Sequence, residues 1–149
     1  MNRFHRLVEL RRIREETNGM AFARTLARVE GLQQDVLRLD QQTAEEQALA
    51  RQAIDQADRT PLAWMDKFLQ GQIWRRKRLE QMIAVAKMDL EKSREAWIAA
   101  RTQLQQAEKL AEREQMQQRQ KLEQYEKKTM DMVGVLRNKT FFGQEGDAG

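Results

Sequence analysis

The reactive side chains of this 149-residue chain are few. His5 is its one histidine, and it has no cysteine. A thiolate nucleophile, a disulfide and a thiolate metal centre are therefore excluded, and one imidazole is too few for the usual zinc site. Carboxylates are plentiful but spaced against cations, as in Glu123 and Lys127. Four residues apart on a helix, such a pair is a solvated ion pair rather than a coupled acid and base. No G-x-x-x-x-G-K-[ST] segment is present to cradle a nucleotide phosphate. No catalytic residue, cofactor or metal is expected, and the chain is read as a protein that is not an enzyme.

What remains are three groups suited to contact. The first is the basic run Arg75-Arg76-Lys77-Arg78. Four successive helical residues spread over about 300°, so they form a collar rather than a flat patch. Either Arg76 snorkels over a helix seam and the rest are solvated, or the collar docks an acidic partner. The second is Trp64, Phe68 and Trp74. Trp64 and Phe68 share a face, and two helices cannot enclose a stripe this wide. They are read with Gln72, Arg75 and Arg76 as a partner-binding region, the alternative being that they fold back over a turn. The third comprises the two ends. Phe4, Leu7, Val8 and Leu10 stand among arginines that include Arg11, and Met130, Met132, Val133 and Leu136 stand near Lys127, Lys128 and Arg137. Phe4, Leu7, Arg11, Met132 and Leu136 are the expected contacts there, unless one terminus packs on the other.

The elements that position these groups are long helices. Pro61 is the single proline, glycines number seven, and 34% of residues are charged, a composition rich in helix formers and poor in turn formers. Pro61 follows Thr60, a good N-cap, so one helix ends near Asp58 and another begins at Pro61. The expectation is an all-α, antiparallel two-helix coiled-coil hairpin over residues 1–142: a helix over 3–58, a turn over 58–61, a helix over 61–137, and a disordered tail over 143–149.

Heptad rows give the seam. In the second arm one row runs Leu69, Arg76, Ile83, Leu90, Trp97, Leu104, Ala111, Gln118, Tyr125, Met132, and its companion runs Met65, Gln72, Leu79, Ala86, Ser93, Ala100, Ala107, Glu114, Lys121, Lys128. The seam turns polar near Glu114 and recovers at Tyr125. In the first arm Phe22, Val29, Val36, Thr43, Ala50 and Ala57 pair with Thr25, Leu32, Leu39, Glu46 and Ala53. Before Phe22, Leu10, Ile13, Thr17 and Met20 are expected to take over, with a phase shift near Gly19. Arms of about 84 Å and about 115 Å joined at one turn leave part of the second unmatched from near Gln118.

Lys plus Arg number 27 against 23 Asp plus Glu, a net charge of +4 with both signs interspersed. That is weak ground for a nucleic-acid ligand, and none is expected. The longest apolar runs fall far short of the ~20 residues of a membrane span, and the start lacks the apolar core of a signal peptide. A cytoplasmic location is the expectation.

These residues resemble a known family. A basic-hydrophobic start, Arg3-Phe4-His5-Arg6-Leu7-Val8-Glu9-Leu10-Arg11, leads into a Glu/Gln/Ala/Arg helix. A break near residue 60 precedes Trp64-Met65-Asp66-Lys67-Phe68-Leu69-Gln70, and Gln105-Gln106-Ala107-Glu108-Lys109-Leu110 and Tyr125-Glu126-Lys127-Lys128 follow. The layout is similar to the FliJ family of flagellar export proteins and the YscO-type stalk proteins of injectisomes. Met130 to Leu136 departs from it, being more apolar than the charged, Glu-containing close of the family's second arm. The resemblance implies a two-helix stalk that inserts its termini-bearing end into the hexameric export ATPase. It further implies links to the membrane export gate and to export chaperones, a position peripheral to the inner membrane, and a monomer in isolation. The family's exposed aromatic after the turn matches Phe68. The rival readings are a structural coiled coil that oligomerises along its seam and a basic helical protein that binds nucleic acid.

Overall fold

The structure, a computed structural model, describes residues 2–147, with side chains over 2–139. Two helices, α1 (His5–Asp55) and α2 (Thr60–Asp147), account for the described chain and form the expected all-α hairpin. α1 is shorter than the expected span 3–58. α2 is longer than the expected 61–137, starting at Thr60 and running to Asp147. Residues 148–149 lie outside the described residues. No proline follows Pro61, so every later residue keeps the N–H that the helix ladder needs.

The turn is built by hydrogen bonds that the proline does not supply. Ala57 has φ 66°, a left-handed conformation usually given to glycine. Its N–H donates to the carbonyl of Ile54 (3.0 Å), and the N–H of Asp58 donates to that of Ala53 (2.9 Å). This reciprocal pair closes α1 as a Schellman motif. Ala57, expected in the seam, is therefore an exposed turn residue. The Asp58 carboxylate then accepts the Thr60 N–H (3.0 Å) and the Thr60 hydroxyl (2.6 Å). Asp58 thus takes the capping part expected of Thr60, whose hydroxyl is turned back as a donor. Pro61 is buried beneath the turn.

Contacts divide the chain into two compact units, Ile13–Arg101 and Met1–Arg12 with Thr102–Gly149. In the first, α1 and α2 run antiparallel from the turn. Val29, Leu32 and Ala86 form its buried core, with Leu79, Ile83 and Leu90 packed around them. The expected rows are seen here: apart from Arg76 and the turn residue Ala57, the residues on them are buried or half-buried, and small residues at Ala86 and Ser93 let the backbones approach. Polar rungs cross the seam with partners made. The hydroxyls of Thr25 and Ser93 lie 2.7 Å apart, and Gln72 Nε2 donates to Thr43 Oγ1 (3.0 Å). Among the described residues no buried side-chain polar atom is left unpaired.

The expected phase shift does not occur. Glu15, Asn18, Gly19 and Phe22 line the seam, while Ile13 and Met20 are exposed at 59% and 63%. Trp97 decides this. Its ring stacks on Phe22 with centroids 5.4 Å apart, and its indole N–H donates to Glu15 (3.0 Å). A Cβ on Gly19 would lie 3.1 Å from the indole nitrogen, so the glycine makes room for the ring.

The second unit pairs the start of the chain with α2 around residue 107. Val8, Ala107 and the half-buried Phe4, Leu7 and Leu104 pack there, and Leu10 is exposed. Asn2 Nδ2 donates to the carbonyl of Ala111 (2.7 Å), and Arg11 Nη1 to Gln103 Oε1 (2.7 Å). Arg3 faces Glu114 at 3.6 Å. From residue 115 to residue 139 every side chain is exposed.

Candidate protein-contact surfaces

Three surfaces carry the chemistry that the residues allow. Near the turn, Trp64 and Phe68 meet edge-to-face at 5.8 Å. Phe68 is half-buried and Trp64 is 38% exposed, so one aromatic is supported by the other and its outer face stays in solvent. Gln72, expected as a partner contact, is 3% exposed. Its amide is used up inside the hairpin, donating to Thr43 and accepting from Arg75 Nη1 (2.7 Å). It is a seam residue that orients Arg75. Arg76 crosses to α1, 2.9 Å from Asp40, and also meets Glu80 at 3.1 Å, so it ties the two helices together. Of the five residues assigned to this region, Trp64 and Arg75 present the freer surface.

The basic run is thereby split. Arg76 is neutralised twice, Arg75 leans on Gln72, and Arg78 lies over the ring of Trp74 at 5.6 Å. The pairing of Trp74 with Arg78 is legible in the sequence as an i,i+4 spacing. Trp74 stands at one wall of an open groove of about 440 Å³ whose floor includes Leu39, Leu79 and Met82.

The third surface is the exposed stretch of α2. Met116, Leu122, Tyr125, Met130, Met132, Val133, Val135 and Leu136 are each at least half exposed. Leu122, Tyr125, Thr129, Met132 and Leu136 recur at three- and four-residue spacing, one helical stripe. Phe4, Leu7 and Arg11 are not gathered with Met132 and Leu136. The chain start packs near Ala111, and Met132 lies about 30 Å further along the helix. Packing of one terminus on the other is thus absent among the described residues.

The electrostatics are those of a solvated surface. Asp58 is held below its ordinary 3.8 by the Thr60 hydroxyl and then by the Thr60 N–H. Among the described residues no group of three or more His, Asp or Glu could hold a metal ion, and no helix is long and apolar enough to cross a membrane. No family model, no curated protein and no solved structure matches this chain.

Proposed function

We propose that this chain is a non-enzymatic stalk or adaptor of a type III protein export apparatus. In this reading it works in the cytoplasm against the inner membrane, binds the hexameric export ATPase, and joins it to the export gate and to chaperones. The observation that carries the reading is the run of α2 from residue 115 to residue 139, helical, basic and apolar, whose side chains are exposed among the described residues. A helix that exposes Tyr125, Met132 and Leu136 is suited to burial against a second protein. Charged faces would steer docking, and the apolar side chains would supply contact area. The family resemblance supplies the identity of the partner. The test is ATPase stimulation: full-length chain at well below one copy per ATPase subunit raises turnover, and a chain ending at Glu114 does not. Absence of both binding and stimulation removes the proposal.

A second reading is favoured by the same stretch. Tyr125 and Met132 continue the heptad row of the seam, so a second copy could cover them. Sedimentation equilibrium separates the two, since a stalk keeps the 17.6 kDa mass of one chain.

A further inference from the structure

On one flank of the hairpin, between α1 and α2, the groove at Trp74 continues towards Val85. A second depression of about 280 Å³ shares Arg78 and Met82 with it and adds Arg28 and Val85. The floor is apolar and open to solvent: Trp74 is 61% exposed, Val85 59% and Met82 37%. Helical spacing puts Gly31 on the α1 wall between Arg28 and Asp35, and a Cβ there would meet nothing within 4 Å, so this wall is low. From Trp74 to Val85 the trough is about 16 Å long, or three helical turns.

Both rims are cationic. Arg28 and Arg38 stand on α1, Arg75 and Arg78 on α2. Arg38 has Asp35 at 3.7 Å, a loose and exposed pair. Among the described residues, no carboxylate lies within ion-pair distance of Arg28, Arg75 or Arg78. An apolar trough flanked by three guanidinium groups without a carboxylate partner, and by Arg38 in a loose exposed pair, specifies its occupant. We propose that this groove binds an acidic amphipathic helix of a partner protein, with apolar side chains at i, i+3/i+4 and i+7 on Leu79, Met82 and Val85, and Asp or Glu on both flanks. A third helix lying in the trough of a helix pair is ordinary helix packing, and Trp and Arg are the residue types that dominate such contacts. Nucleic acid also attracts Arg and Trp, but the exposed apolar floor at Met82 and Val85 offers a phosphate backbone nothing. The proposal needs no export component, so it stands or falls apart from the stalk reading.

The test follows the three indole N–H resonances of the full chain, with that of Trp74 assigned by Trp74→Phe. The probe is a synthetic helical peptide of about fourteen residues carrying Leu at the anchor positions and Glu on both flanks (one more than three turns of helix). Controls are the same peptide with Lys for Glu and an oligothymidylate. The acidic peptide should shift the Trp74 resonance saturably and leave that of the seam residue Trp97 in place. The double variant R75E/R78E should weaken it by about tenfold, the scale of two exposed ion pairs, and should instead accept the Lys-flanked peptide. An unmoved Trp74 resonance, equal binding of both peptides by the native chain, or tighter binding of the oligothymidylate overturns the proposal. An unchanged Trp97 resonance in the variant shows that the hairpin is intact, so loss of binding is not loss of fold.

Discussion

Ala57 is the residue on which the turn depends, and it is the least suited to its conformation. A β-carbon at positive φ costs on the order of 1 kcal/mol that glycine does not incur. Ala57→Gly is therefore expected to raise stability by about 0.5–1 kcal/mol, the gain being cut by the looser unfolded chain, and thermal unfolding followed by circular dichroism reads it directly. Asp58 makes the turn pH-sensitive at its edge. Its folded-state value lies below its ordinary 3.8, so the stabilisation is complete above that value and is lost as pH falls through the lower, folded one. Asp58→Asn should remove this acid limb while keeping an acceptor for the Thr60 N–H. A variant whose melting temperature still falls with the same acid profile as the parent would show that Asp58 is not the group responsible.

Along the helices, glycines sort by what stands opposite them. Gly31 and Gly71 have nothing within 4 Å of a built Cβ, whereas Gly19 has the Trp97 indole at 3.1 Å. Ala at 31 or 71 should gain about 1 kcal/mol each from helix propensity. Ala at 19 gains the same intrinsic term but must push a ring held by Phe22 and Glu15, so no net gain is expected. Denaturant unfolding of the three single variants tests this, and an equal rise at all three would mean that Trp97 is not confined. Leu32→Ala, in the buried core, should cost about 2–4 kcal/mol. The same elements keep the phase before Phe22 unshifted. Leu10, Ile13 and Met20 are more apolar than Arg11, Glu15 and Asn18, yet α1 is one unbroken helix whose register is held by Phe22, Val29 and Leu32. Bringing the apolar set inward requires a break in the helix, and the polar set instead finds Gln103 and Trp97 as partners.

For the molecule as a whole, stability is concentrated where two helices face each other. Residues 115–139 contribute helix without interhelical burial, and a lone helix in water is marginal. Their amides should exchange with solvent orders of magnitude faster than those around Ala86 and Ala107. A chain ending at Glu114 should unfold within about 2 °C of the full chain, because residues 115–139 carry almost no packed surface. A large drop in its melting temperature would mean that the stretch is covered after all, by a second copy of the chain.

Much of this was readable from residue order alone. One proline after Asp58-Arg59-Thr60 located the hairpin turn, and the seven-residue rows from Phe22 and Leu69 named the facing residues, because helical periodicity is local and repeats. Glu114 marked where the seam turns polar, close to where α1 runs out. Three matters depended on side chains distant in sequence. Gln72, on the seam row and also expected as a partner contact, is taken out of any partner's reach by Thr43 of the other helix. Gly19, where a phase shift was expected, is instead the space that the Trp97 ring fills. Trp74 and Arg78 became the wall of a groove only when Leu39 and Arg38 arrived from the other helix. Spacing along one helix specifies a face, and what that face meets is set by the partner helix, whose register is fixed only on packing.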